Sequence, residues 1–435
     1  MGGVLHQRAI FRTLLFAAMA AVCWGAMTTA EAGDWPQFRG PRRDGATDAP
    51  GVPLRWSATN NVRWKAPLPH PANGSPVVAS GRVWVTSAED PQGLRRSLYC
   101  FDAATGERKW VATVDYGQVM PTHKTNPYCG TTPAVADGKV VVWHGSAGLY
   151  CYSLNGEQLW KRDLGEFKHI WGYGTSPIIH DDLVLLNSGP GKRLFAIAVR
   201  LGDGSTAWQR DEPVPGDGSH NAAGAYFGTW STPVIARSGG RTFAIFAMPT
   251  RLVAYDVATG KEVWTCDGVN HPQGDLAYAS PTIAEGVCFY TGGFRGPMLA
   301  VRIDGEGDVT STKRLWRIEQ QPQSIGSPVA VGPFVYRPNA GPGTIQCIDV
   351  RTGRVRWTSR GAGGNMWASI VRAGERLYAT TQEGTTVVFR ANPQEYVELA
   401  RNSLDEGTNA TPALAEGAIF FRTANHLWCI GGDEG

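Results

Sequence analysis

Along most of this chain, apolar residues fall in short runs closed by turn formers, and the runs recur with a period. Ser75-Pro76, Thr132-Pro133, Ser176-Pro177, Thr232-Pro233, Ser280-Pro281, Ser327-Pro328 and Thr411-Pro412 each open an apolar run, and Ala368-Ser369-Ile370 is an eighth copy without the proline. Proline is tolerated at the first residue of a strand, where no ladder donor is yet required. Five residues after most of these prolines a turn breaks the run, at Gly81, Gly138, Gly286 and Gly417, with Asp182 and Pro333 in the same place. An apolar run, a glycine turn and a second run such as Val83-Trp84-Val85 or Val140-Val141-Val142 predict a hairpin. Further on, Asp-x-x-Thr-Gly precedes a tryptophan at Asp102 to Trp110, Asp256 to Trp264 and Asp349 to Trp357, with weaker copies ending at Trp160, Trp208 and Trp316. Asp and Thr can bond the turn's own backbone there, and Gly supplies its positive φ.

Copies of the first signal lie 42 to 57 residues apart, the period of a four-stranded propeller blade. The pattern therefore predicts an all-β chain forming an eight-bladed β-propeller from about residue 61 to 432. Only two strands fit after Thr411-Pro412, so the last blade lacks its tryptophan-bearing outer strand. Asn61-Val62-Arg63-Trp64-Lys65 supplies it, closing the ring with the N-terminal strand and removing the open edges. The seventh blade, about residues 366–404, is the most degenerate copy. The tryptophans read as wedges between neighbouring blades.

Composition changes this picture little. The 54 glycines and 28 prolines among 435 residues stay below the level of a low-complexity chain. The net charge of +3, with no basic run beyond Arg42-Arg43 and Arg95-Arg96, argues against nucleic acid as a partner. The first 32 residues read as a signal peptide: Arg8 and Arg12 precede the apolar Leu14 to Gly25, and Ala30-Glu31-Ala32 offers a cleavage site. An uncleaved anchor is the alternative; lipidation at Cys23 is disfavoured by Ala20-Ala21-Val22. The apolar run is shorter than a membrane span needs. The expectation is an exported, monomeric protein, periplasmic or extracellular, with residues 33–60 as an extended lead-in and no membrane span.

Eight cysteines in such a protein would ordinarily suggest disulfides. The repeat argues otherwise. Cys100, Cys151, Cys347 and Cys429 occupy one position of the third strand in different blades, where Ala196, Ala254 and Ala300 stand in others. They are expected to be buried free thiols, too far apart to bridge.

Candidate chemistry sits in the loops that lead into the innermost strands and surround the channel mouth. His70, His123, His169, His220 and His271 precede the prolines of the first five blades by six to thirteen residues. Lys124, Asn126, Trp171, Tyr173, Asn221, Tyr226, Trp230, Asp275 and Tyr278 lie near them, with Asn365 and Trp367 in a later blade. Converging imidazoles suit a metal, an anion or an acidic partner, or simply a wet funnel. The ligand-binding candidates are His70, His123, Lys124, His169, Trp171, His220, Trp230, His271, Asp275, Tyr278 and Trp367. No metal-ligand spacing and no nucleophile–base–acid set stands out, and His144, His180 and His426 look incidental.

The Asp-x-x-Thr-Gly-x-x-x-Trp copies resemble the pyrroloquinoline-quinone-like repeat of quinoprotein dehydrogenases and of outer-membrane assembly lipoproteins of the BamB type. Asp34-Trp35-Pro36-Gln37-Phe38-Arg39-Gly40-Pro41, Asn126-Pro127-Tyr128-Cys129-Gly130, Gly148-Leu149-Tyr150-Cys151-Tyr152, Gly384-Thr385-Thr386 and His426-Leu427-Trp428-Cys429-Ile430 resemble exported propeller proteins of planctomycete bacteria. The quinoprotein resemblance implies pyrroloquinoline quinone (PQQ) on a ring of two adjacent cysteines, with calcium beside a catalytic aspartate. This chain has no adjacent cysteine pair and no matching calcium set, and Asp275 is the channel-side acid that would be tested. The expected function is a non-catalytic binding or scaffold module taking a protein or small-ligand partner at its loop face; the alternative is a PQQ-dependent or other quinoprotein-type oxidoreductase.

Overall fold

The structure, a computed structural model, describes residues 33–191, 193–213, 224, 226–319 and 322–432. They form eight antiparallel blades around a central channel, each meandering from a short inner strand to an outer one. Blade 1 runs through Val77–Ala79, Arg82–Ala88, Arg95–Asp102 and Arg108–Asp115. Blade 8 takes Ala413–Ala415, Ala418–Arg422 and His426–Ile430 from the end of the chain and Val62–Pro67 from its start. There Trp64 stands opposite Cys429, so the first propeller strand closes the ring as expected. The inner hairpins turn on two residues, both at positive φ: Ser80-Gly81, Asp137-Gly138, Glu285-Gly286 and Glu416-Gly417. That geometry matches the twist of the flanking strands.

Six of the outer-strand tryptophans clasp the next blade. The Trp64 indole N–H donates to the Ala103 carbonyl (2.9 Å), Trp110 to Leu154, Trp160 to Leu201, Trp208 to Val257, Trp316 to Val350 and Trp357 to Asn392. In all of these but Trp357 the ring packs on a glycine of the receiving turn. A Cβ at Gly106 would sit 2.6 Å from Trp64, and one at Gly260 2.5 Å from Trp208. Glycine is thus required there for close approach as well as for its positive φ. Trp264 has no such acceptor, and a fifth strand, Gly307–Asp308, pairs beside it. In blade 7 Ala400 stands where the tryptophan would be, the degeneracy expected of that copy.

The seven cysteines among the described residues are free and buried. Cys100, Cys151, Cys347 and Cys429 each lie opposite the clasp tryptophan. In blade 3 that slot holds Ala198, opposite Trp208, and not Ala196, which faces Arg210. The connection before this strand, residues 188–194, is two residues longer than residues 144–148 of blade 2, which shifts the slot along the sequence.

At the channel the repeated Ser/Thr side chains form a collar. The backbone N–H of Ser75 donates to Thr132 Oγ1 (3.0 Å), Thr132 to Ser176 Oγ (2.9 Å), and Ser176 to Thr232 Oγ1 (3.1 Å). Ser280 donates likewise to Ser327 (2.9 Å), Ser327 to Ser369 (3.0 Å), Ser369 to Thr411 (2.9 Å), and Thr411 back to Ser75 (3.0 Å). Between blades 4 and 5 a parallel pair of short strands, Phe227–Thr229 and Asp275–Ala277, makes the link.

Residues 33–60 do not simply lead in; the first of them cross the far end of the channel, and residues 52–56 then bond to blade 7. Trp35 pairs with Val78 of blade 1, the Pro36 carbonyl accepts from Val135 of blade 2 (2.8 Å), and Gln37 Oε1 accepts from Ile179 of blade 3 (2.9 Å). Consecutive residues thus address consecutive blades. Arg39, 1% exposed, reaches the Pro281 and Pro328 carbonyls of blades 5 and 6. Burial pushes its guanidinium down to about 10, with Asp44 opposing. Ala46–Thr47 then adds a parallel strand to the inner edge of blade 7.

Two outcomes test this frame. Thr411→Val keeps the shape but strips the acceptor from the buried Ser369 N–H, and should cost about 1–3 kcal/mol in urea unfolding, with Thr411→Ser close to wild type. His144 is fully buried with both ring nitrogens unpaired, and desolvation, aided by Arg96, pushes its imidazole from 6.5 down to about 3. The unfolded chain therefore takes up a proton that the folded protein refuses. Stability should be full above pH 6.5 and decline toward pH 3, by about 1.4 kcal/mol per pH unit from this group. Urea titrations of His144→Phe across that window should lack this component of the slope.

Candidate functional site

Above the collar the channel widens into a cavity of about 590 Å³, within the range of small-molecule pockets. Its lining follows the repeat. All eight collar residues reach it, as do the residues two positions earlier in every blade: Asn73, Gly130, Gly174, Trp230, Tyr278, Ile325, Trp367 and Asn409. The second ring is uneven. Blades 4, 5 and 7 supply large aromatic rings, whereas blades 8, 1, 2 and 3 supply asparagine or glycine. Phe38, carried across the far end by the N-terminal segment, contributes to the lining from below.

The aromatic side is built by loop contacts. Trp230 anchors three loops, its backbone N–H donating to the Ala277 carbonyl (2.7 Å) and its indole N–H to that of Gly172 (2.9 Å). Its ring meets Tyr278 at 5.4 Å and Trp171 at 6.1 Å, and Trp171 meets Tyr226 at 5.3 Å. Gly174 leaves room for this ring, since a Cβ there would lie 3.3 Å from Trp230 Cδ1. Burial raises the Tyr278 phenol far above its usual range, so it stays protonated at any physiological pH.

The opposite side is a chain of amides. Gln382 donates to Asn409 (2.8 Å), Asn409 to the Thr125 carbonyl (2.9 Å), Asn73 to Thr125 (2.9 Å) and to Asn126 Oδ1 (3.0 Å). Asn126 in turn donates to the Trp171 (2.7 Å) and Tyr173 (3.1 Å) carbonyls. Beneath them, fully buried Arg422 donates to the His70 (2.6 Å) and Ala72 carbonyls. The mouth is therefore held rigid by bonds within the protein.

Against the eleven sequence candidates, the structure places His123, Trp171, Trp230, Tyr278 and Trp367 on the cavity. His169 lies behind the wall, 2% exposed: its Nδ1 accepts from the Trp171 N–H (3.2 Å), its Nε2 faces the Phe227 carbonyl (3.2 Å), and its ring packs edge-on against Trp230 at 4.9 Å. His70 serves the loop through its backbone, exchanging bonds with Ser87. His271 Nδ1 accepts from the Gln273 N–H (3.1 Å), and Asp275 Oδ1 accepts from the His271 N–H (3.0 Å), so both brace a turn. Lys124 is exposed on its loop, outside the lining. His220, like Asn221, lies outside the described residues. The second ring members Asn73, Gly130, Gly174, Ile325 and Asn409 went unread, as did Gln273, Gln323 and Phe294. Counting back two residues from each Ser/Thr would have found the ring.

The sequence model of the family described as outer membrane protein assembly factor BamB matches residues 51–127 and 114–359. The chain belongs to that family. Among solved structures, BamB from Moraxella catarrhalis superposes with a TM-score of 0.60 at 14% identity, covering 85% of this chain and 99% of that one. The quinohemoprotein alcohol dehydrogenase from Comamonas testosteroni superposes with a TM-score of 0.62 at 14% identity, covering 94% and 82%. The computationally designed Ika8 protein gives 0.53 at 12% identity, covering 84% and 98%. These likenesses are of fold. No curated protein matches the sequence.

The quinoprotein neighbours make PQQ the cofactor to test against this BamB-family cavity. It is a tricarboxylic acid and calls for cations. Among the described lining residues there is no lysine or arginine and no carboxylate, and His123 is the one imidazole. No group of three or more His, Cys, Asp or Glu suited to a metal occurs among the described residues. The donor set of the described residues does not fit that cofactor.

Asn126 ties the amide side of this BamB-family mouth to the aromatic side. Asn126→Leu should raise hydrogen exchange across residues 168–174, lowering their opening free energy by about 2 kcal/mol while the blade strands stay protected.

Proposed function

We propose that this protein is an exported, non-catalytic binding module that takes its ligand in the channel mouth. The supporting observation is the cavity itself, uncharged among the described lining residues: its asparagines are committed to loop bonds, its hydroxyls and the Gln273 and Gln323 amides line it, and no acid–base pair is aimed into it among the described residues. Exposed Val119, Ile170 and Phe294 stand around the same face and extend it for a larger partner. On this reading residues 1–32 are the removed leader, residues 33–60 the N-terminal extended segment and 61–432 the propeller. Among the described residues no helix is long and apolar enough to cross a membrane. The monomer acts alone on a small ligand or on one end of a protein partner; nucleic acid is not a partner.

Saturation-transfer NMR with a small-fragment library tests the assignment. Fragments should bind the wild type and be lost in Gln323→Trp, which fills the mouth. Equal binding to both proteins would sink it, and so would micromolar quenching of tryptophan fluorescence by PQQ with calcium accompanied by alcohol-dependent dye reduction.

A further inference from the structure

The cavity has two faces of opposite character and one open end. On one side stand Trp171, Tyr226, Trp230 and Tyr278, with Trp367 further round. On the other stand asparagine side chains, two glycines and, below, the collar hydroxyls. Every collar oxygen bonded above accepts a backbone N–H, so its own proton is left to donate into the channel.

Each feature removes a class of ligand. A purely apolar molecule would bury the hydroxyl ring without partners, at a cost of about 1–3 kcal/mol per group. An ion finds no opposite charge in the described lining. A flat aromatic would suit the wall and leave the collar unpaired. A molecule with one face of C–H groups and a periphery of neutral hydroxyls satisfies both sides at once, through contact with ring faces and through hydrogen bonds.

We propose that the mouth is a socket for the end of a neutral saccharide. This rests on the reading of the mouth as a ligand site. The sugar's C–H face lies on the Trp171 wall, and its hydroxyls pair with collar hydroxyls and with the amides of Gln273 and Gln323. The N-terminal segment closes the far end: Arg39 is fixed to blades 5 and 6 and Phe38 forms the floor. A chain cannot thread through, so it enters end-first and only its terminal units are held.

Isothermal titration and tryptophan fluorescence with linear neutral oligosaccharides of several linkages, from one unit to six, test this. At least one series should bind, with affinity rising to about the trisaccharide and then level. Trp171→Ala and Trp367→Ala should each weaken it roughly tenfold with unchanged circular dichroism and melting temperature. Affinity that keeps rising to the hexamer would replace the socket with an open groove. If no saccharide binds while library fragments still bind wild type and not Gln323→Trp, the saccharide assignment falls and the binding site stands. If neither binds, both fall. Binding of an anionic uronate or a short peptide in preference to every neutral sugar would likewise overturn it.

Discussion

The ring depends on one repeated bond, from the backbone N–H that opens an inner strand to the Ser/Thr hydroxyl of the next blade. Inner strands of a propeller face a channel and do not pair with each other. The donors at their upper ends would be stranded there, and a buried unpaired N–H is costly. The Ser/Thr-Pro dipeptide solves both halves of this: proline has no N–H to satisfy, and the hydroxyl before it satisfies its neighbour's. Blade 7 shows the rule by its exception. Lacking the proline, it uses the Ile370 N–H to reach the Ser327 carbonyl, and its inner edge accepts the extra strand Ala46–Thr47. The tryptophan clasps do the same at the periphery for six of the eight blades, which are fixed to the next blade at the outer radius as well.

With the ring closed, its axis is a hole that must be filled or used. The N-terminal segment fills one end. Its Trp35, Pro36 and Gln37 bond three successive blades, and Arg39 exchanges its hydration for strand carbonyls. Gly40, at φ 78°, lets the chain fold back onto the Trp35 ring, to which a Cβ would approach within 2.9 Å. What remains at the other end is a cavity floored by Phe38 and walled by loops whose polar groups already hold one another. Such a site is preorganised, and little ordering cost is left for a ligand to meet.

Much of this was legible from periodicity. Blade number, closure through Trp64, the degenerate seventh copy and the buried thiols follow from spacing alone, because each repeat unit solves one local problem. The misplacement of Ala196 for Ala198 came from a connection, residues 188–194, whose length departs from that of blade 2. The aligned histidines are put to different uses in the structure. Imidazoles at similar loop positions serve different ends: His169 and His271 accept backbone N–H groups within their own turns, and His70 acts through its main chain. Residue type in a loop says little about which way a ring points. The ring two residues before each Ser/Thr was in register throughout, yet its varied members, from glycine to tryptophan, hide it from any search for a common side chain.

The sequence by itself determined the repeating contacts, since strand period, turn chemistry and the clasp tryptophan are local and recur every blade. Only the tertiary structure decided what lies on the axis. Which residues meet there depends on eight loops and a distant N-terminal segment converging on one point, and no spacing along the chain encodes that convergence.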